Sequence, residues 1–474
     1  MGIGSIVDGI FRQAERTVDE VNEALFEPVI RLGVTGLSRS GKTVFISSLV
    51  ANLLDRGRML RLSAAAEGRI LSAYLQPQPD DLVPRFDYET HLAKMTGAAP
   101  EWPTSTRSIS QLRLSFRVQP RGVLSGLRGP RTVHLDIVDY PGEWLLDLPL
   151  LNQSFAEFSK DAIAKARSKS RAPMARDWLA LLDNIDVNAD LDEAMAQRLA
   201  VAFTDYLRAC REAGLSACAP GRFLMPGDLE GSPALTFSPL PVGERGGRNS
   251  ITRAFDRRFE AYKSKVVKPF FADHFAGLDR QIVLVDALGA LHAGPAAIAD
   301  LRDAMTDVLR CFRPGRNSWL SSILGKRVER ILFAATKADH LHHTQHAALT
   351  GFLDALLRQA KDRAEFSGAT TASMAIASLR ATVEQTVQHG GTTLDCVRGS
   401  LLDSGKEVAM YPGELPSDPR EMVSSANGDV SKWLNGDYSV MSFRPARITL
   451  KPGDGPPHIR LDQAAEFLIG DKLR

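Results

Sequence analysis

An α/β fold with a mostly parallel sheet, broken by a large helical insertion, is the class the sequence predicts. Three observations carry this. Short apolar runs near residues 29–35, 132–139, 281–286, 330–335 and 374–377 are strand-like, and helical stretches separate several of them, the alternation that covers both faces of a parallel sheet. A glycine-bracketed loop joins the first run directly to an apolar helical stretch at 44–57. Between 145 and 277 the strand pattern stops, and Ala, Leu, Arg and Glu dominate.

The elements follow in order. Residues 1–27 predict an amphipathic helix, with Ile3, Ile6, Val7, Ile10, Phe11 and Ala14 at helical spacing. It either lies on the body of the protein or meets a partner or membrane surface; mixed rather than basic flanking charge weighs against the membrane. After the first strand, loop and helix, Gln76-Pro77-Gln78-Pro79 marks a loop. Clean alternation at 111–119, with Leu112, Leu114, Phe116 and Val118 on one face, and the strand at 132–139 predict a hairpin joined by a turn-rich stretch at 122–129. The insertion contains helical patterns at 174–214 and 251–276 around a Pro/Gly-rich piece at 219–247. Its start carries Lys160, Lys165, Arg167, Lys169, Arg171 and Arg176, read as a solvated face or as a surface for an acidic partner or phosphate groups. Helices at 295–312 and 344–363 separate the later strands, and an apolar helix at 464–469 ends the chain. The expected organisation is an N-terminal helix (1–27), a first part of the sheet domain (28–144), the insertion (145–277), a second part (278–400) and a C-terminal extension packed on it (401–474).

Composition sets limits. The 474 residues allow two or three domains at roughly 100–200 residues each. Apolar residues at 44% and charged residues at 24% are ordinary globular usage, which argues against extensive disorder. A net charge of +2, from 58 basic and 56 acidic residues, gives no reason to expect a nucleic-acid partner. No apolar run reaches the about 18 residues of a membrane span. The start lacks a signal-peptide pattern, and Met1-Gly2 lacks the Ser or Thr at position 6 of a myristoylation signal. Cys210, Cys218, Cys311 and Cys396 are too few and scattered for a disulfide framework or a cysteine zinc site. A reducing, cytoplasmic location is expected.

The strongest chemical signal is Gly36-Leu37-Ser38-Arg39-Ser40-Gly41-Lys42-Thr43, which fits G-x-x-x-x-G-K-[ST] between a strand and a helix. Gly36 and Gly41 allow the turn that aims backbone N–H groups at phosphate oxygens, with Ser38, Arg39, Ser40 and Val44 in the same cradle. Lys42 is expected to bridge the terminal phosphates, and Thr43 to ligate magnesium. Asp139-Tyr140-Pro141-Gly142 closes the strand at 133–138, where a carboxylate can serve the metal and Gly142 can offer its N–H to a γ-phosphate. Asp286-Ala287-Leu288-Gly289 has the same D-x-x-G form. Thr336-Lys337-Ala338-Asp339 fits [NT]-K-x-D. There Asp339 can accept from guanine N1–H and the exocyclic amine, and the Lys337 stem can cover the purine. In proteins that carry these motifs in this order the magnesium aspartate follows the hairpin. Asp139 is therefore assigned to the metal, and Asp286 to the site wall or to backbone N–H groups. Two weaker pieces remain. Trp102-Pro103-Thr104-Ser105-Thr106 is placed to offer Thr106, or alternatively Thr104, to the metal. Ala377-Ser378-Leu379 follows the last strand, where Ser378 and Leu379 can meet the guanine oxygen through backbone N–H groups.

With these pieces in order the chain resembles P-loop GTPases, and more specifically the YcjX-like family of bacterial stress-associated GTPases. The segments carrying the likeness are the P-loop, Trp102-Pro103 through Thr106, Asp139-Tyr140-Pro141-Gly142-Glu143-Trp144, residues 280–286 and 336–339, and His458-Ile459-Arg460-Leu461-Asp462 with Glu466-Phe467-Leu468. The resemblance implies a G domain with a helical insertion after switch II, and magnesium-dependent binding and hydrolysis of GTP, which is expected to be slow. Glu143 stands where small GTPases often place a water-orienting glutamine. It either accepts a proton from attacking water or bonds backbone N–H groups. Arg39 either supplies counter-charge to the phosphates or faces solvent or an insertion carboxylate. The leading expectation is a regulatory GTPase whose switch segments, 97–110 and 139–150, report the γ-phosphate to an effector-binding insertion. A GDP-binding scaffold without turnover and an ATP-using enzyme are the alternatives.

Overall fold

The computed structural model describes residues 27–37, 39–104, 108–121, 129–241, 247–275, 277–310, 328–366, 368–415, 418–419 and 442–474. The expected N-terminal helix up to residue 26, Ser38 and Thr106 lie outside the described residues. Seven strands form one sheet: β1 (Val29–Gly36), β2 (Ile70–Gln76), β3 (Ser110–Val118), β4 (Arg131–Asp139), β5 (Arg280–Val285), β6 (Arg330–Ala335) and β7 (Thr370–Ala375). Their order is β2-β3-β4-β1-β5-β6-β7. β4, β1, β5, β6 and β7 run parallel, while β2–β3 and β3–β4 are antiparallel. The predicted hairpin is β3–β4. β2 extends it as an edge strand that the sequence reading did not contain, because Leu71 and Tyr74 are exposed and no alternation marks it.

Both sheet faces are buried, as parallel strands require. On one face Ile30, Leu32 and Val34 of β1 and Ile282 and Leu284 of β5 pack with Phe45, Ile46 and Leu49 of α1 (Lys42–Leu54). α2 (Tyr88–Thr96) lies beyond, and the C-terminal helix, α10 in chain order (Leu461–Ile469), closes this layer through Leu461, Ala464 and Leu468. On the other face Val283, Val285, Ile331 and Phe333 join one continuous core with the helices between β4 and β5. These are α3 (Phe155–Ala166), α4 (Ala172–Asp183), α5 (Glu193–Glu212) and α6 (Ile251–Tyr262), preceded by a long 3₁₀ segment, Gly142–Asn152. Aromatic rings fill their centre: Phe158 stacks on Phe259 at 4.9 Å and Trp178 on Tyr206 at 5.3 Å. α7 (Ala287–Ala293), α8 (Pro295–Arg310) and α9 (His346–Phe366) complete the layer.

One basic residue at the start of the insertion departs from the solvated-face reading. Lys160, Lys165, Arg167, Lys169 and Arg176 are exposed, but Arg171 is buried. It pairs with Asp300 of α8 at 2.5 Å and donates to Ala217 O at 3.0 Å. An arginine so placed fastens the insertion to the helical layer of the sheet. A second, antiparallel sheet of β8 (Val383–His389), β9 (Thr392–Ser400) and β10 (Glu407–Met410) follows β7. It spans the boundary placed at 400/401, and the sequence reading had no strands there, because β8 is polar and largely exposed and β9 mixes exposed, half-buried and buried residues without alternation.

Candidate nucleotide site

β1, β4, β5, β6 and β7 are parallel, so their carboxyl ends share one edge, the usual place for a ligand in an open α/β sheet. At the end of β1 the chain turns with Arg39 at φ 62° and Gly41 at φ 84°. Ser40 N donates to Leu37 O at 3.2 Å, and Phe45 N to Gly41 O at 2.8 Å starts α1. Gly41 is the N-cap and brings no side chain, so no capping side chain stands between the start of α1 and an anion at the positive end of the helix dipole. Lys42 Nζ donates to Gly36 O at 2.7 Å. Only glycine fits at position 36: an added Cβ would stand 2.3 Å from Ser40 Oγ and 2.6 Å from Leu284 O.

β4 sets Asp139 beside Val34 of β1, buried. The next residue, Tyr140, hydrogen-bonds through its hydroxyl to Thr35 Oγ1, which also accepts from Gln281 Nε2 at 2.6 Å. Burial raises the Tyr140 phenol above its ordinary value, so it stays protonated and the tie between β1, β4 and β5 is neutral. Gly142 then passes against the P-loop so closely that a Cβ there would lie 1.8 Å from Gly36 O. Gly221, in the insertion, repeats this approach: its Cβ would stand 1.8 Å from Glu143 O. P-loop, Gly142-Glu143 and insertion are thus stacked backbone on backbone.

On the far side of β1, Asp286 follows β5. One carboxylate oxygen accepts from Gly289 N at 2.9 Å, capping α7, and the other pairs with the Lys337 ammonium. The backbone-acceptor half of the sequence reading describes Asp286; it borders a neighbouring cavity and pairs with Lys337, a contact that reading did not contain. Thr336 N donates to Val285 O at 3.0 Å, and Lys337 takes φ 61°. Asp339 Oδ2 accepts from Ala381 N at 2.8 Å, and Asp339 O accepts the Thr382 hydroxyl, so the carboxylate is oriented by the 381–382 loop. Ala377 exchanges two backbone hydrogen bonds with Ile459, of 3.1 and 2.8 Å. Arg460 donates to Ala375 O and to His346 Nδ1, both at 3.1 Å. The opposite nitrogen of His346 therefore donates to Ala338 O, at 2.8 Å. Burial, with Arg460 nearby, holds this imidazole below its ordinary pKa and neutral. The C-terminal segment thus braces both loops that follow β6 and β7.

A cleft of about 330 Å³ runs along these pieces. Its walls are residues 39–44, Thr336, Lys337, Asp339, Ala377, Ser378 and Leu379, with Trp102, Pro103, His340, Leu402, Ser442 and Phe443. Gly36, Asp139 and Gly142 stand beside the P-loop, outside that lining. Glu143 faces a second cavity of about 410 Å³, together with Arg211 and His292, which shares Arg39, Ser40, Lys337, His340 and Ser442 with the first. Thr104 is exposed and lines neither. The sequence reading missed His340, Leu402, Ser442 and Phe443. Trp102 Nε1 donates to Phe443 O at 2.7 Å, and His340 meets the Phe443 ring edge-on at 5.2 Å. No periodicity announces such residues; tertiary folding alone brings 443 to 102. Thr43 and Asp139, an alcohol and a carboxylate buried beside the P-loop, are hard oxygen donors of the kind Mg²⁺ takes.

The sequence matches the YcjX-like family, DUF463, over residues 30–473. The chain belongs to the YcjX-like family. It is 39% identical over 458 residues to a "Ras-like GTPase YcjX" of Escherichia coli, covering 94% of this chain and 96% of that one. It is 34% identical over 467 residues to a protein of the same description from Shewanella oneidensis, covering 94% of each. The fold is that of a P-loop GTPase, and the likeness to this YcjX-like family takes in the sheet, the insertion and the C-terminal segment alike. Among the described residues no helix is long and apolar enough to cross a membrane.

Proposed function

We propose that this protein binds GTP and GDP with Mg²⁺, hydrolyses GTP slowly to GDP and phosphate, and acts as a stress-associated regulatory switch. The observation that carries the reading is the single cleft whose wall joins the P-loop residues 39–44 to Thr336, Lys337, Asp339, Ser378 and Leu379. Phosphate and base contacts from three distant stretches then fall along one ligand. Relatives named as Ras-like GTPases support it.

In this reading the α1 N-terminus and Lys42 hold the phosphates, and Asp339, fixed by Ala381 N–H, accepts from the guanine edge. A base without those two donors strands a buried acceptor and is rejected. Thr43 and Asp139, with Thr106, would hold Mg²⁺, whose charge offsets that of the phosphate oxygens. Glu143 and Arg39 both border the neighbouring cavity, and in this reading they would orient water or balance charge beside the phosphates. The switch acts through the Gly142 and Gly221 approaches. Trp144 Nε1 donates to Met225 O at 2.9 Å, the Arg222 guanidinium lies 3.2 Å from the centre of the Trp144 ring, and Asp147 accepts from Gly221 N at 2.6 Å. A shift of Gly142 toward a γ-phosphate therefore moves the insertion, whose exposed surface is the proposed effector site.

The test is nucleotide competition on nucleotide-free protein, followed by single-turnover decay and limited proteolysis. Guanine nucleotides should displace a fluorescent GDP while ATP does not. GTP should decay faster with protein than without, and residues 145–180 should be protected differently by GDP and a non-hydrolysable GTP analogue. A preference for ATP removes the guanine assignment; decay unchanged by protein leaves a GDP-binding scaffold.

A further inference from the structure

We propose that His342, His343 and Glu384 form a binding site for a divalent transition-metal ion of the zinc class, separate from the nucleotide cleft. His342 is the extended N-cap (φ −63°, ψ 147°) of the 3₁₀ turn His343–Gln345. This turn puts two consecutive rings side by side, their centroids 4.3 Å apart, where an extended strand would send them to opposite faces. Glu384 reaches between them from β8. Its Oε2 lies 2.8 Å from His343 Nδ1 and 3.7 Å from His342 Nε2. All three ligand atoms lie within 4.8 Å of one another. A tetrahedral ion with bonds of about 2.0–2.1 Å sets its ligands roughly 3.4 Å apart. Rotation of the exposed His343 ring supplies the remaining closure.

The opposite nitrogen of the buried His342 strengthens the assignment. Nδ1 lies 3.0 Å from Thr344 Oγ1 and 3.5 Å from Asp395 Oδ2 of β9. In the tautomer that carries its hydrogen on Nδ1, facing Thr344 and Asp395, Nε2 keeps its lone pair for a metal ion, and an Nδ1–H beside a carboxylate is the arrangement that orients metal-bound imidazoles. Arg380 Nη2, 3.6 Å from Glu384 Oε1, is the one cation in the described ion pairs that competes for this carboxylate, and it uses the other oxygen. Two imidazoles and one carboxylate suit Zn²⁺, Co²⁺ or Ni²⁺ and disfavour Mg²⁺ or Ca²⁺. The exposed side of His343 leaves further coordination positions to water. An ion here fastens the turn that follows Asp339 to β8, whose approach contains Ala381 and Thr382, the residues that orient Asp339.

Calorimetry with Zn²⁺ tests this, on full-length protein without a polyhistidine tag, freed of metal by chelator and dialysis. One equivalent should bind and raise Tm, and Co²⁺ should give the visible ligand-field bands of a tetrahedral or five-coordinate site. H343A and E384Q should each weaken binding at least about 100-fold, and D395N by about 10–100-fold. Circular dichroism and melting confirm that each variant is folded; His343 is exposed and its loss leaves the core untouched. Failure of folded wild-type protein to bind, or unchanged affinity in both H343A and E384Q, overturns the proposal. The second result would assign the ion to others of the ten histidines. Neither readout involves nucleotide.

Discussion

Substituting Gly142→Ala probes the contact on which the proposed switch turns. The new methyl would stand 1.8 Å from Gly36 O, 2.6 Å from Gly36 C and 3.2 Å from Leu37 N. All three are backbone atoms, so no side-chain rotation relieves the clash, and the P-loop and the 142–152 segment must part by about 1.5 Å to reach ordinary contact. Overpacking of this kind costs about 1–3 kcal/mol. Gly36 O also accepts the Lys42 ammonium, so the displacement carries a phosphate-binding group with it. Two effects should separate by assay. Thermal unfolding of nucleotide-free protein should show a lowered Tm. Titration with fluorescent GDP and with a non-hydrolysable GTP analogue should show the analogue weakened at least about tenfold more than GDP, or about 1.4 kcal/mol, because in the proposed function the Gly142 N–H serves the γ-phosphate, which GDP lacks. A variant that melts with wild type and keeps both affinities in their original ratio refutes the contact and the coupling built on it.

Three other outcomes follow from single side chains. Asp339→Asn should lower GTP affinity by about 100-fold or more and raise affinity for xanthosine nucleotides, read by competition titration; equal losses for both bases would count against the base contact. Asp286→Ala should cost about 1–2 kcal/mol in urea unfolding through loss of the α7 cap, and weaken nucleotide binding by freeing Lys337 from its ion pair. Intact affinity would show that Lys337 needs no such brace. Burial pushes the Asp147 carboxyl up to about 6, against hydrogen bonds from the Tyr262 hydroxyl and Gly221 N–H and the charge of Arg222. A carboxyl raised in the fold favours the fold when protonated, so this contribution is complete below about pH 4 and lost as pH climbs through about 6. Relative to Asp147→Asn, wild type should lose on the order of 3 kcal/mol between those limits, measured by urea unfolding of both proteins; a difference independent of pH would disprove the buried protonated carboxyl.

The sheet was legible where burial on both faces leaves an uninterrupted apolar run, as in β1 and β6, and where one face alternates, as in β3. It was illegible at β2, β8 and β9, where apolar and polar residues follow neither an uninterrupted run nor a clean alternation. The site was legible for the same reason in chemical form. Phosphate and base contacts need particular residue types at short spacing, so 36–43 and 336–339 announce themselves. Phe443 needs nothing but a carbonyl and a ring in the right place, 341 residues from Trp102, and local sequence encodes neither. Arg171 shows the converse error: charge in a basic run reads as surface until its partner, 129 residues away, is known.

The insertion's core bears on how a nucleotide could be sensed. Rings of α3, α5 and α6 belong to the same buried cluster as Val283 and Phe333 of the sheet, so the insertion is packed into the domain and has no separate interior. Close-packed interiors transmit a displacement more readily than they absorb it. The segment after Gly142 has little freedom to absorb one: Trp144 is held by Met225 O and covered by Arg222, and Asp147 is held by Tyr262 on α6 and by Gly221 N. Each of these partners lies in the insertion. A movement of Gly142 by an ångström or so must then appear either as a shift of the insertion against the sheet or as rupture of these contacts. The buried hydrogen bonds to Asp147 make rupture the costlier course.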